Sequence, residues 1–382
     1  MSLERCSNFA DFRRLAHRRL PAPLFHYIDG GADDELTLRR NTAAFDDYEL
    51  MPRVLTGLSA IDTRTQVLGQ TLEWPVFLSP TGMSRLFHHH KEPAAARAAA
   101  KLGTLYSLST LATTRLEDVA AATTGPKMFQ IYVLKDRNFT YEFVDRCKEA
   151  GYAALCLTVD MPVAGNRERD RVHGMVMPPR FGLADLASFV AHPAWSLNFV
   201  RDPDFRLANL TEKAGALGKG GMGLIDYFNS QMDPSMSWDD VARIVERWKG
   251  PFAIKGLQSP DDARMAKQVG ATAVMISNHG GRQLDGAPAP VDCIAPMREA
   301  VGDDLEIICD GGIRRGTHVL KALSLGANAC SIGRPYLFGL AAGGQAGVER
   351  VLTLLRAEIV RDMTLLGCAK IGDLGAAFLR KR

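Results

Sequence analysis

The sequence predicts a parallel β/α barrel, and three observations carry that expectation. Eight short apolar runs of strand length recur from residue 75 onward, at 75–78, 104–108, 128–133, 153–159, 252–254, 273–276, 306–309 and 329–332. They are mostly continuous in apolar character, as strands buried on both faces require. Helical segments such as 93–102, 141–150, 260–269 and 317–325 separate most of them, which is the repeating strand–helix pattern of a barrel. A doubly wound open sheet is the competing architecture. The first turn, Ser79-Pro80-Thr81-Gly82, lacks the glycine fingerprint such a sheet uses for dinucleotides.

The chain has 382 residues and a mass of 41.7 kDa, enough for one large domain or two ordinary ones. With 46% hydrophobic and 23% charged residues, it is expected to bury a sizeable core. A net charge of +3 leaves no electrostatic footprint for nucleic acid. The seven cysteines include no C-x-x-C pair, which points to reduced thiols in a cytoplasmic setting. Residues 1–20 carry arginines throughout and no apolar core, unlike a signal peptide. No apolar run is long enough to cross a bilayer.

Residues 1–64 read as a helical N-terminal segment before a barrel over 74–366. Asn8 is placed to cap a helix through Phe12, Leu15 and Leu20 that ends at Pro21 and Pro23. A second segment, 24–31, stops at the Gly30-Gly31 pair. Tyr27 then stands near a helix end, with ordinary packing as the alternative to a functional role. The connection 161–237 is far longer than a barrel needs. Long loops of this kind are lids, binding segments or disordered regions. Its aromatic and apolar residues, mixed with Arg180, Arg201 and Arg206, suit a lid or membrane-contacting patch; a subunit contact or helical cover is the alternative.

Active-site residues of β/α barrels come from the C-terminal strand ends. In order, those ends carry Ser79-Pro80-Thr81-Gly82, Ser107-Leu108-Ser109, Gln130 with Tyr132, Thr158 with Asp160 and then Arg167, and Lys255-Gly256. They continue with Ser277-Asn278-His279 and Arg282, the run from Asp310 through Gly311, Gly312 and Arg314, and finally Gly333-Arg334. Nearly every end offers a hydrogen-bonding group at the same barrel edge. Barrels commonly bind phosphate with the last two loops. Here those loops supply glycine N–H groups plus Arg314 and Arg334, whose guanidinium forks suit phosphate. Ser109, Gln130, Thr158 and Lys255 add neutral groups around one cation, a set that suits a flat heteroaromatic such as a flavin. A fixed lysine near the flavin N1–C2 edge would favour reduction; a strand-end surface lysine is the alternative.

The run Ser277-Asn278-His279-Gly280-Gly281-Arg282-Gln283 resembles the active-site signature of the FMN-dependent L-2-hydroxy acid oxidases and dehydrogenases. The resemblance extends through 25–32, 129–133, 157–160, 254–256 and 310–316. It implies FMN as cofactor and oxidation of an L-2-hydroxy acid to the 2-keto acid. It further implies His279 as catalytic base with Asp160 beside it, and Arg282, Arg167, Tyr27 and Tyr132 on the substrate. Pro80, Thr81, Gly82, Ser109, Gln130, Thr158, Lys255 and Ser277 would form the isoalloxazine side. The run from Asp310 through Gly311, Gly312 and Arg314 to Gly333 and Arg334 would hold the ribityl chain and phosphate.

Gly82 favours a dehydrogenase passing electrons to a quinone or cytochrome, because relatives with alanine there tend to react with oxygen. Leu111 replaces the tryptophan of plant glycolate oxidases and argues against glycolate. Residues 165–170 and 192–201 resemble bacterial (S)-mandelate dehydrogenases, whereas 20–31 and 160–162 look more like bacterial L-lactate dehydrogenases. L-lactate is the expected substrate and mandelate, or another aromatic 2-hydroxy acid, the alternative. The resemblance also implies peripheral contact with the inner face of the plasma membrane and a homotetramer.

Other readings stay open at this level. Phosphate-binding FMN barrels include isomerases and dehydrogenases of nucleotide phosphates, and a non-catalytic binding barrel is a third class. The small-carboxylate set of His279, Arg282, Tyr27 and Tyr132 argues against them. Cys309 lies inside a strand-type run and is expected to be a buried packing thiol. His88-His89-His90 is expected to form a solvent-facing loop with its rings pointing apart, so no metal site is predicted.

Overall fold

The computed structural model describes residues 2–175, 179–201, 203, 205–210 and 230–382. Three helices come first: α1 (Phe9–His17), α2 (Ala22–Asp29) and α3 (Leu36–Ala43). Asn8 caps α1, its side-chain oxygen accepting from Asp11 N–H at 3.1 Å. The prolines act differently from the expectation. The first helix ends at His17, and Pro23 sits in the opening turn of the second, where its missing N–H costs no helical hydrogen bond.

Residues 1–64 are also not helical throughout. Strand β1 (Tyr48–Leu50) pairs antiparallel with the C-terminal strand β12 (Leu379–Lys381), joining the two ends of the chain. A hairpin of β2 (Thr65–Val67) and β3 (Gln70–Leu72) follows, turning at Leu68 (φ 52°) and Gly69 (φ 68°). Val67, Leu68 and Leu72 are buried in one cluster with Phe77, Leu105, Met128, Ala154 and Ile308. The hairpin thus fills the N-terminal end of the barrel. Leu68 N–H donates to Glu306 Oε2 at 2.7 Å, fixing the plug to a barrel strand. Its strands are short, and no periodicity announced them.

The barrel is a closed ring of eight parallel strands, β4 (Val76–Thr81), β5 (Tyr106–Ser109), β6 (Lys127–Ile131), β7 (Ala154–Thr158), β8 (Phe252–Leu257), β9 (Ala273–Ile276), β10 (Glu306–Asp310) and β11 (Ala329–Ile332). The predicted architecture is the observed one, with strand ends shifted by a few residues. Between the strands run α4 (Lys91–Lys101), α5 (Leu116–Ala122) and α6 (Arg137–Glu149). After β7 come α7 (Glu168–Val172), α8 (Leu183–Ala191), α9 (Pro193–Arg201) and α10 (Trp238–Trp248). The last four are α11 (Pro260–Gln268), α12 (Pro290–Val301), α13 (Gly316–Ser324) and α14 (Arg334–Leu366). The 33-residue α14 is broken at Gly343–Gly344, where the backbone leaves helical geometry.

Within the long connection, residues 176–178, 202, 204 and 211–229 lie outside those described, and the expectation for 161–237 is tested only on the rest. Its described helices α8 and α9 carry exposed Leu183, Leu186, Val190, Leu197 and Val200. Among the described residues no helix is long and apolar enough to cross a membrane.

Candidate active site

The site begins where β9 ends. Ser277 is buried, and the next turn takes left-handed backbone at His279 (φ 58°), Gly280 (φ 69°) and Gly281 (φ 74°). A Cβ at position 281 would lie 2.5 Å from the Leu38 backbone nitrogen, so only glycine lets this loop rest against α3. His279 has a side chain and still adopts positive φ, a costly conformation that the surroundings must impose. Its N–H donates to Ser277 Oγ at 3.0 Å. The imidazole Nδ1 lies 3.1 and 3.2 Å from the two oxygens of Asp160 at the end of β7.

Electrostatics fix the protonation states of this pair. Burial pushes the His279 imidazole below its ordinary proton affinity, with Asp160 opposing the shift. Burial opposes the Asp160 charge, but His279 and Lys255 hold its carboxyl below the usual carboxylate range. At neutral pH the arrangement is a carboxylate accepting Nδ1–H from an uncharged ring. The lone pair is then on Nε2.

Two guanidiniums stand near this ring. Arg282 Nη1 donates to Tyr27 O at 2.5 Å and Gly30 O at 3.2 Å. Its charge centre lies 4.8 Å from the Tyr27 ring centroid, and that of Arg167 lies 5.5 Å from the same centroid. Burial lowers the proton affinity of Arg282, and the like charge of Arg167 lowers it further. Tyr132 is buried, and its hydroxyl donates to Met161 Sδ at 3.5 Å.

Lys255 is buried beside Asp310, Nζ to Oδ2 3.2 Å, and donates at 3.0 Å to the same Ser277 Oγ that accepts from the His279 N–H. Asp310 also accepts from the hydroxyls of Ser79, Ser277 and Ser331. Burial disfavours its charge, but Lys255 and these hydroxyls keep its carboxyl below the usual range.

Of the sequence-predicted residues, Tyr27, Pro80, Thr81, Gly82, Ser109, Tyr132, Arg167, Lys255, His279, Arg282, Asp310, Gly311, Gly312, Arg314, Gly333 and Arg334 line a single cavity at the C-terminal mouth of the barrel. Gln130, Thr158, Asp160 and Ser277 stand behind that wall. Gln130 Oε1 accepts from Ser109 Oγ at 3.0 Å, while Thr158 is buried beside Lys255 in the ladder. Sequence reasoning missed Ser79 and Ser331, which hold Asp310, and Met161 and Met175, which line the cavity. Strand-end position marked Ser79 and not its function; the methionines carry no local signal.

The three histidines differ from the expectation. Their rings face one another with centroids 4.4–4.5 Å apart, and their ring nitrogens lie within 4.8 Å. A tight turn before α4 gathers them, and His90 N–H donates to His88 Nδ1 at 3.1 Å. That bond leaves the His88 proton on Nε2 and takes the lone pair a metal would need. Cys309 is buried, as expected.

Residues 16–381 match the sequence model of the FMN-dependent dehydrogenases. The chain belongs to the FMN-dependent dehydrogenase family. An L-lactate oxidase of Nostoc sp. is 43% identical over 97% of both chains. An L-lactate dehydrogenase of Stenotrophomonas maltophilia is 43% identical over 96% of each. Among solved structures, the monotopic membrane protein (S)-mandelate dehydrogenase superposes with a TM-score of 0.95 at 35% identity, covering 99% of this chain and 100% of that one.

The cofactor of this FMN-dependent dehydrogenase is FMN, and the cavity wall fits it. The Arg314 and Arg334 guanidiniums are half-buried in that wall, and among the described residues their hydrogen bonds go to backbone carbonyls. Arg334 donates to Ile28 O, Gly280 O and Gly30 O at 2.8–2.9 Å, and Arg314 to Ile313 O at 2.8 Å. Burial lowers them to about 9 and about 10. Two desolvated cations with no carboxylate in contact among the described residues are an anion site, as a phosphate requires. Gly312 (φ 74°) lines the same wall, and a Cβ there would lie 1.8 Å from Asn41 O.

Proposed function

We propose that this chain oxidises an L-2-hydroxy acid to its 2-keto acid, with L-lactate going to pyruvate. The observation that carries the reading is His279 Nδ1 held at 3.1 Å by Asp160, on a cavity also lined by the Arg167 and Arg282 guanidiniums. Arg282 and Arg167 hold the substrate carboxylate, with Tyr27 completing that end. Tyr132 meets the substrate hydroxyl. His279 Nε2 takes a proton, and the imidazolium that results is stabilised by Asp160. General-base assistance of this kind contributes about 10²–10⁴-fold in rate.

FMN, when bound, supplies the two-electron acceptor. Arg314, Arg334 and the glycine N–H groups would hold its phosphate, and Asp310 with Gly311 would hold the ribityl chain. Lys255 would hold the isoalloxazine edge, with Ser109, Gln130, Thr158 and Ser277 in support. Overall the substrate loses two electrons and two protons. Electrons then pass to a quinone or cytochrome, in keeping with Gly82. The whole chain, 1–382, acts as one domain, and the enzyme works as a homotetramer.

L-lactate rests on the sequence relatives, whose names include L-lactate oxidase and L-lactate dehydrogenase. One observation favours mandelate as a second reading: Met83, Phe87, Leu111, Met161 and Met175 give the cavity a broad apolar side, wide enough in chemistry for an aromatic ring. Anaerobic addition of L-lactate and (S)-mandelate to the yellow holoenzyme tests both. Rapid bleaching by L-lactate is expected; bleaching by (S)-mandelate alone reassigns the substrate, and bleaching by neither rejects the 2-hydroxy acid reading.

The exposed side chains of α8 and α9, Leu183 at 86%, Val190 at 81% and Val200 at 74% exposure, form the apolar face by which the enzyme attaches peripherally to the cytoplasmic side of the membrane. The likeness to a monotopic mandelate dehydrogenase supports this. Co-sedimentation with anionic lipid vesicles is expected for the native chain and is lost on Leu183→Glu with Val190→Glu.

A further inference from the structure

Asp170 has no place in the chemistry described so far, yet it is a buried acid beside the two substrate-facing arginines. It lies one helical turn after Arg167, is 6% exposed, and its Oδ2 is 3.3 Å from Arg167 Nε. Burial raises its proton affinity, and the charges of Arg282 and Arg167 oppose that shift. Its element is firmly placed. Asn166, next to Arg167, donates from Nδ2 to Asp33 Oδ1 at 2.6 Å, and Arg169 bridges Asp29 at 3.0 Å and Glu35 at 2.6 Å. His173 stacks on His26 with ring centroids 4.0 Å apart and planes 4° from parallel.

We propose that Asp170 is a positioning residue that offsets one of the two arginine charges, setting how tightly the site holds the carboxylate common to substrate and product. The inference rests on the reading that Arg167 and Arg282 bind that carboxylate. Two guanidiniums alone carry two positive charges for one carboxylate. With Asp170 the balance is one to one. An anion arriving at the arginines is attracted by them and repelled by Asp170 through a poorly screened medium. Tight binding of a group unchanged between substrate, transition state and product lowers KM without raising kcat, and it retards release of the keto acid. The ion pair goes through Arg167 Nε, and Arg167 is at the same time part of the cavity wall.

The test is titration of oxidised holoenzyme with oxalate, read by the perturbation of the flavin absorption spectrum, together with steady-state kinetics. Asp170→Asn keeps the shape and removes the charge. At least about 10-fold tighter oxalate binding is expected, the effect of removing one like charge as far as about 12 Å from the anion at an effective dielectric of about 20. KM for the hydroxy acid should fall while kcat stays level or drops, and product inhibition should strengthen. Asp170→Ser, smaller and uncharged, should move oxalate affinity the same way, which guards against a folding defect in one variant. A purely structural role would loosen the arginines and weaken oxalate binding instead. Weaker or unchanged oxalate affinity in both variants overturns the proposal. Arg282→Lys separates it from the reading beneath: if Arg282→Lys weakens oxalate binding while the Asp170 variants leave it unchanged, only the role of Asp170 fails. If Arg282→Lys also leaves it unchanged, the carboxylate reading fails and the proposal with it.

Discussion

Lys255 and Asp310, on strands two places apart around the ring with β9 between them, meet at 3.2 Å with side-chain exposures of 5% and 10%. Removing one member of a buried ion pair leaves the other charged and unpaired, which typically costs about 3–5 kcal/mol. Asp310→Asn is therefore expected to lower apoprotein stability by about 3 kcal/mol, the three serine hydroxyls retaining part of the site. Chemical denaturation of the apoprotein measures it. A change below about 1 kcal/mol would show that the hydroxyl network alone holds Lys255.

His279→Gln should lower kcat by about 10²–10⁴-fold while the protein stays yellow. Asp160→Asn removes the charge that raises the imidazole's proton affinity. The acidic limb of the kcat/KM profile then moves to lower pH, and the plateau rate falls because the imidazolium formed in the reaction is no longer stabilised. A limb that moves to higher pH would be incompatible with this pairing.

Arg282→Lys replaces a planar fork, which donates to Tyr27 O and Gly30 O, by a single ammonium. Loss of charge-assisted hydrogen bonds worth about 1.5–3 kcal/mol predicts a fall in kcat/KM of about 10–100-fold. Steady-state kinetics decide it, and an unaltered kcat/KM removes Arg282 from the substrate site.

Acid should unfold this protein through its buried histidines. Burial lowers His26 to about 4, with His173 and Arg169 adding to the shift, and lowers His318 to about 4. Below an unfolded-state value near 6.5 the unfolded chain binds protons that the folded one refuses. The unfolded form therefore gains as pH falls from about 6.5 to about 4, and stability declines across that window. Denaturant midpoints at pH 7 and pH 5 check the sign, and His318→Gln should flatten the decline. A midpoint that rises on acidification would contradict it.

The barrel strands and the site were legible for different reasons. Strands buried on both faces must be continuously apolar, and helices between them must alternate, so β4 to β11 stand out. Ser277 to Arg282 stood out because glycine, histidine and arginine interrupt such a run at a strand end. The hairpin at Val67 and Leu72 was hidden because three-residue strands leave no period to read. Asp170 was hidden because its neighbour Arg282 is remote in sequence, and only the turn of α7 brings the two together. The histidine run was misjudged because adjacent side chains diverge on a strand or helix, whereas a tight turn with Lys91 at φ 52° folds them onto one another.

Arg334 belongs to the last barrel strand's exit, yet its guanidinium is satisfied by the carbonyls of Ile28 and Gly30 near the start of the chain. The same is true of the sheet that ties Tyr48–Leu50 to Leu379–Lys381. During synthesis, the N-terminal arm must wait for nearly the whole polypeptide before it has anything to close against. That end of the cavity is therefore completed only when the chain is nearly finished, and a chain stopped short of residue 334 would lack one of the two guanidiniums that line it.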